Sequence, residues 1–273
     1  MARPLVRIAS TALITAGLVI LLDVGITLAW SEPVSTLRGW LAQRDAAEEL
    51  VSLEREFRLP AGSGFSGAEM RRLADRLARE AEPGDAIGRL QIAAIDLNIV
   101  LIQGTDNSSL KRGPGHFPET VFPGQDGTIG IAGHRTTYLA PFRRIDEIED
   151  GDEIVLEMPY ATFTYLFEKQ RIVDPTQVGV VRDVDHDRVV LTACHPLYSA
   201  AQRIVVFSRL AHVSPPEGTE AEEPRGQRSN QTPAPDPPGL GPTWAGVGGL
   251  GLIAVLVWTL SAWRDSRAHR TDG

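Results

Sequence analysis

Residues 189–207 read VVLTACHPLYSAAQRIVVF. Two runs rich in Val, Ile and Leu flank a break that holds Pro196, Ser199 and small residues. Branched side chains at this density favour strands, and proline interrupts them. A connection this short joins antiparallel neighbours rather than parallel ones. The break also contains the only cysteine of the chain, Cys194, and the second run opens with Arg203. On the antiparallel reading, Cys194 and Arg203 lie side by side at one end of a sheet.

The same signal spreads outward from this stretch. GRLQIAAI, NIVLIQG, TIGIAG, DEIVLEM, ATFTYLFEKQRIV, RVVLTA and RIVVFSRL are short β-branched or alternating runs. RGPGHFPET, FPGQDGT and EDGDE separate them as turns and loops. Seven or more strands with so little helix predict an all-β domain over residues 86–213, a closed or nearly closed barrel with few open edges. Upstream, residues 36–85 read as a helical juxtamembrane stem. In 36–58, Leu37, Trp40, Leu41, Leu50, Val51 and Phe57 recur at roughly helical spacing. After a Gly-rich break, Ser66 and Glu69 form a capping-box pattern ahead of a second helix. Such helices stand between membrane and domain, pair with a partner, or, more commonly, pack on their own domain.

Beyond these lie segments of different character. Residues 5–30 and 244–263 are apolar over about the 20 residues that a spanning helix needs. Arg3 and Arg7 flank the first, and Arg264, Arg267 and Arg270 follow the second. Basic outer flanks predict both termini in the cytoplasm and the domain outside. The expected organisation is therefore a cytoplasmic N-terminus and anchor over 1–35, a second transmembrane helix over 244–263 and a basic tail over 264–273. The first apolar run is longer than a signal-peptide core, so a retained anchor is expected rather than a cleaved leader. Residues 214–243 are rich in Pro, Glu and Gly and predict a disordered tether. A net charge of −8 argues against nucleic-acid binding through phosphates, and no Cys/His spacing resembles a metal site.

A nucleophilic thiol needs a base or a cation beside it. The chain has 6 histidines. His269 lies in the expected cytoplasmic tail, and His186 and His212 lie in polar or terminal contexts. His195 adjoins Cys194, and adjacent side chains on an extended backbone point to opposite faces. His116 and His134 remain. His134 ends the run TIGIAG, where a strand delivers it to a barrel mouth; His116 sits in a Gly/Pro loop that suits a structural hydrogen bond. The pattern favours His134. Arg203 could donate to a developing oxyanion, with a plain surface arginine as the alternative.

These motifs in this order resemble the sortases, membrane-bound cysteine transpeptidases of Gram-positive bacteria. GPGHFPET, IAGHRTTYLAPFRRID, GDEIV and TACHPLYSAAQR are most similar to the class E group of actinobacteria, with class D as neighbour. The resemblance covers about residues 87–212. It implies an eight-stranded β-barrel with short helices, here flanked by two transmembrane helices. It implies Cys194 as nucleophile, His134 as general acid/base and Arg203 as the oxyanion group, with no cofactor or metal. The implied substrate is a secreted protein with a C-terminal sorting signal of Leu-Ala-x-Thr-Gly or Leu-Pro-x-Thr-Gly type, cleaved at Thr–Gly. The acceptor would be an amine of a peptidoglycan precursor or another protein. Tyr138, Ala193 and Tyr198 are the expected substrate-binding residues. The position matching Tyr138 is associated with preference for Leu-Ala-x-Thr-Gly. The family pattern carries Thr directly before the cysteine where this chain has Ala193, so slower acylation is expected here than in a Thr-bearing form. A non-catalytic surface barrel with a buried Cys194 and another cell-wall thiol hydrolase or transpeptidase are the rival readings.

Overall fold

The computed structural model describes residues 2–29, 33–57 and 65–216. Four helices and eight strands follow in chain order: α1 (Ala2–Ala29), α2 (Pro33–Phe57), α3 (Gly67–Glu80), β1 (Ala86–Ile92), β2 (Leu97–Gln103), α4 (Asn107–Arg112), β3 (Gly115–His116), β4 (Thr128–Gly133), β5 (Glu153–Met158), β6 (Ala161–Val173), β7 (Arg188–His195) and β8 (Gln202–Ser214). The strands close into a barrel in the order β1-β2-β3-β4-β7-β8-β6-β5. Pairing is antiparallel except at β2–β3 and β4–β7. Closure leaves no open edge.

Strand alternation fills the interior. Ile129 and Ile131 of β4, Val189 and Leu191 of β7, and Ile204 and Val206 of β8 all point into one core with Ile87, Leu90, Leu156 and Phe163. β7 is buried on both faces along residues 188–193, which explains its unbroken apolar run. Its outer face packs Val190 with Val205 and Phe207 under Val173, Val180 and Val181. The connection from β6 to β7, with a 3-10 turn at Val178–Val181, thus lies over the outside of the barrel wall.

Two elements escape the sequence pattern. β3 is only two residues long and falls in the stretch expected to be a loop. α4 is six residues long, and its Asp106 cap accepts from the backbone N–H of Ser108 and Ser109.

Both helices of the 36–85 segment pack on the barrel. Phe57 of α2 and Leu73, Ala74 and Leu77 of α3 belong to the main core. Ser66 caps α3 by accepting from the Glu69 N–H at 3.3 Å, as the sequence pattern predicts. The face that α2 buries matches the expected one at Leu50 and Phe57 and departs from it elsewhere. Leu37, Leu41 and Val51 are exposed, whereas Gly39, Gln43, Ala46, Leu50 and Phe57 are buried. Close approach explains the difference. Small residues let the helix backbone descend onto the wall, where Ala46 and Leu50 meet Ala86, Val100 and Ile102. Gln43, 1% exposed, accepts from Val100 N–H at 2.8 Å and donates to Val100 O at 3.1 Å and Arg112 O at 2.7 Å. A buried amide satisfied on this scale is as much a part of the seam as an apolar side chain.

Among the described residues, no helix is long and apolar enough to cross a membrane. In α1, side chains toward both ends lie outside the described residues, while Leu13, Ile14, Leu18, Val19, Ile20 and Leu21 are exposed. The expected second span over 244–263, the tail over 264–273 and the tether beyond residue 216 lie outside the described residues.

Candidate active site

β4 and β7 run parallel and in register, with Ala132 beside Thr192 and Gly133 beside Ala193. The next residue on each chain is His134 and Cys194. Across the antiparallel β7–β8 ladder, Cys194 pairs with Arg203. Cys194 and Arg203 therefore stand side by side on β7 and β8, and His134 follows directly after their neighbour β4. Alternation assigns their direction: Ala193 and Ile204 point into the core, so Cys194 and Arg203 face outward. Cys194 is a free, half-buried thiol.

The outward face carries a groove of about 490 Å3. Its floor includes Thr192, Val205 and Arg203, and its walls come from Phe117–Val121 after β3 and from the β6–β7 connection. Gly130 lets these walls come together. A Cβ there would stand 2.8 Å from Phe117 and 3.1 Å from Val181. The walls are held by a buried network around His116. Its Nδ1 lies 2.9 Å from Gln103 Oε1, and its Nε2 lies 3.0 Å from Val121 O and 3.1 Å from Thr120 Oγ1. Thr120 Oγ1 in turn accepts from Gly130 N–H at 3.0 Å. Burial pushes the His116 pKa down to about 4. A buried neutral histidine tied to the loops is a structural residue, and of the two histidines left open by the sequence it is His134 that follows β4 where Cys194 follows the paired part of β7.

His134 is half-buried, and its Nε2 is buried with no hydrogen-bond partner. Burial, and then the charge of Lys111, lower its pKa below the ordinary histidine value. The neutral imidazole is favoured, which is the form able to take a proton from a thiol. Tyr138 stands beside it with ring centroids 5.5 Å apart, and Lys111 Nζ lies 6.0 Å from the Tyr138 ring. Tyr138, Leu139 and Ala140 all have positive φ, at 49°, 67° and 45°. Three such residues in a row are costly and persist only where surroundings enforce them. Helix α2 supplies part of that enforcement, since a Cβ on Gly39 would lie 3.1 Å from the Tyr138 backbone and from Leu139 Cγ.

The other expected residues fall in different places. Arg203 Nη1 donates to Ala200 O and Gln202 O, both at 3.0 Å. A guanidinium has five N–H donors, so this anchoring of one nitrogen is compatible with donation to a substrate oxygen. Tyr198 is 74% exposed on the β7–β8 loop, and its hydroxyl accepts from Arg143 Nη2 at 3.3 Å. Ala193 requires a correction. It is 3% exposed and belongs to the barrel core, on the face opposite to Cys194. Its side chain is no part of a substrate surface, and a hydroxyl added there would enter the core rather than approach the thiol. The groove residue next to the cysteine on its own face is Thr192. Thr192, Lys111 and Arg135 escaped the sequence reading. Thr192 could have been found by counting back two residues from Cys194. Lys111 is placed by the short α4, which has too few residues to show a period.

A half-buried thiol, an imidazole favoured in its neutral form and a guanidinium at one rim of a closed barrel are the groups that acyl transfer through a thiol requires. A family model described as the sortase domain matches residues 90–211. Sortase D of Bacillus subtilis is 33% identical over 133 residues, which are 47% of this chain and 65% of that protein. Sortase SrtE1 of Streptomyces coelicolor is 30% identical over 150 residues, 49% of this chain and 43% of that protein. The chain thus spans less than two thirds of either relative. The fold is also that of a Clostridium perfringens Sortase D5 transpeptidase, at a TM-score of 0.51 and 24% identity over 63% of this chain and 99% of that one. Residues 90–211 thus match the sortase domain, and sortases named D and SrtE1 are both among the relatives of this chain.

Proposed function

We propose that this chain is a membrane-anchored extracytoplasmic cysteine transpeptidase. It cleaves a C-terminal sorting signal at Thr–Gly and transfers the protein to an amine of the cell wall. The observation that carries the reading is that Cys194 pairs with Arg203 across β7 and β8, with His134 directly after the neighbouring strand β4 and Arg203 lining the groove. Cys194 Sγ attacks the Thr carbonyl carbon while its proton passes to neutral His134. Arg203 donates hydrogen bonds to the oxyanion so formed. The C–N bond breaks as His134 returns the proton to the leaving Gly amine, which leaves a thioester on Cys194. An incoming amine attacks that thioester, a proton passes to His134 and on to the sulfur, and a new amide leaves with the thiol restored. The energy of the original amide is retained throughout, so the transfer requires no nucleotide.

Class E character rests on the motif resemblance and on Tyr138 beside His134, and it favours Leu-Ala-x-Thr-Gly over Leu-Pro-x-Thr-Gly. The membrane placement rests on the apolar runs 5–30 and 244–263 with their basic outer flanks, and on the exposed apolar side chains of α1.

The test uses the full chain in detergent with each peptide, an amine, and Cys194→Ala as control. The expected result is a covalent peptide–enzyme mass, an amine-ligated product, and loss of both in the variant. Hydrolysis without ligation in the presence of excess amine would favour a thiol hydrolase. No reaction with either peptide would overturn the reading.

A further inference from the structure

Backbone pairing between β4 and β7 stops at Gly133 and Ala193, one residue short of His134 and Cys194. The ladder alone therefore leaves the separation of those two residues unspecified. The next residues on the two chains are Arg135 and His195, and these touch. Arg135 Nη1 lies 3.3 Å from His195 Nδ1. By alternation the contact falls on the face away from the groove. Arg135 is 2% exposed. Its Nη2 donates to Asp146 Oδ1 at 2.6 Å and to Arg143 O at 3.2 Å. Asp146 lies in the 3-10 turn Ile145–Glu147, so the guanidinium ties the β4–β5 loop to the end of β7.

Arginine can only donate. In this contact His195 Nδ1 is then the acceptor. A buried guanidinium has few orientations open to it, and the Asp146 carboxylate fixes the one that reaches His195.

We infer that Arg135 and His195 form a strap behind the site that sets the spacing of His134 and Cys194, which makes both of them positioning residues for acyl transfer. This rests on the reading of Cys194 as nucleophile and His134 as its base. A proton transfer between two side chains is sensitive to displacements of the order of 1 Å, and the strap acts within one residue of each.

The test compares His195→Ala with His195→Asn in the full chain. Asn places an amide oxygen near the position of Nδ1 and keeps an acceptor for Arg135. His195→Ala is expected to lower kcat roughly tenfold or more, with the KM for the sorting peptide changed less than about twofold. His195→Asn is expected to recover most of that loss. The thermal midpoint of His195→Asn should match the parent, and that of His195→Ala should fall by no more than the loss of one acceptor for the buried Arg135 guanidinium implies. Arg135→Lys should lose kcat as His195→Ala does, and the double variant should lose no more than either alone.

Alkylation of Cys194 by iodoacetamide at fixed pH gives a readout that needs no peptide. It should slow in His195→Ala and not in His195→Asn. Peptide-inactive parent enzyme with this alkylation pattern would sink the functional reading and keep the strap. Active parent enzyme with equal kcat in parent and His195→Ala, or equal losses in the Ala and Asn variants, would overturn the strap.

Discussion

At the scale of the residue, strand alternation decides which side chains act. Thr192 lines the groove and Cys194 faces outward with it, while Ala193 between them faces the core. Ala193→Thr is therefore expected to give no faster thioester formation. It should lower stability by about 1–3 kcal/mol through overpacking and a buried hydroxyl, read by urea unfolding. Arg203→Lys should cost kcat about 10²-fold or more if the guanidinium stabilises the oxyanion, with circular dichroism unchanged. The depressed pKa of His134 places the acid limb of the kcat/KM profile below the ordinary histidine value of 6.5. Removing the Lys111 charge relieves part of that depression, so Lys111→Ala should move the limb toward higher pH. His116 bears on stability in the same direction. Its folded pKa of about 4 lies below the ordinary 6.5, so the unfolded chain binds the proton first. The contribution is complete above pH 6.5 and falls away toward pH 4, by about 3 kcal/mol. Urea midpoints measured across that window should fall more steeply in the parent than in His116→Asn.

At the scale of the element, the strands were legible because each carries several branched residues in a row or in alternation. TIGIAG and RVVLTA became β4 and β7, and the antiparallel guess from 189–207 put Cys194 opposite Arg203. β3 was hidden because two residues cannot show a period, and His116 was read as a loop residue for that reason. The face of α2 was read only in part, at Leu50 and Phe57, because an apolar stripe was sought. The buried stripe instead contains Gly39, Gln43 and Ala46, residues chosen for close approach and bonding rather than for hydrophobicity. No local pattern signals that a glutamine will find the backbone of Val100 57 residues away. Arg135 was missed for a related reason: its partners Asp146 and His195 come from a separate 3-10 turn and from the far end of β7. The α2 contact yields a further expectation. Ala is favoured over Gly in helices by about 1 kcal/mol, yet a methyl at Gly39 presses on the strained turn at Tyr138. Gly39→Ala should keep the thermal midpoint within a few degrees while lowering kcat severalfold, and Gly39→Val should lower both.

At the scale of the whole molecule, the helices upstream of the barrel are part of the folded domain. A fragment beginning at residue 60 would lack α2, expose Ala86, Val100 and Ile102, and strip Phe57 from the core. The loss of Phe57 alone is worth about 3–5 kcal/mol on the scale of large-to-small core changes. A fragment spanning 33–216 should therefore unfold at clearly higher urea than one spanning 60–216; equal midpoints would show that α2 only decorates the wall. The alternation of the barrel wall has one more consequence. Ile129, Ile131, Leu191 and Ile204 hold the cylinder together, while Gly130, Thr192 and Val205, one step along the same strands, meet whatever lies in the groove. Two vocabularies are thus interleaved on a single ribbon, and each can drift without consulting the other. A library confined to the outward letters could rewrite which peptide is grasped while the inward letters, and with them the shape of the vessel, stay constant.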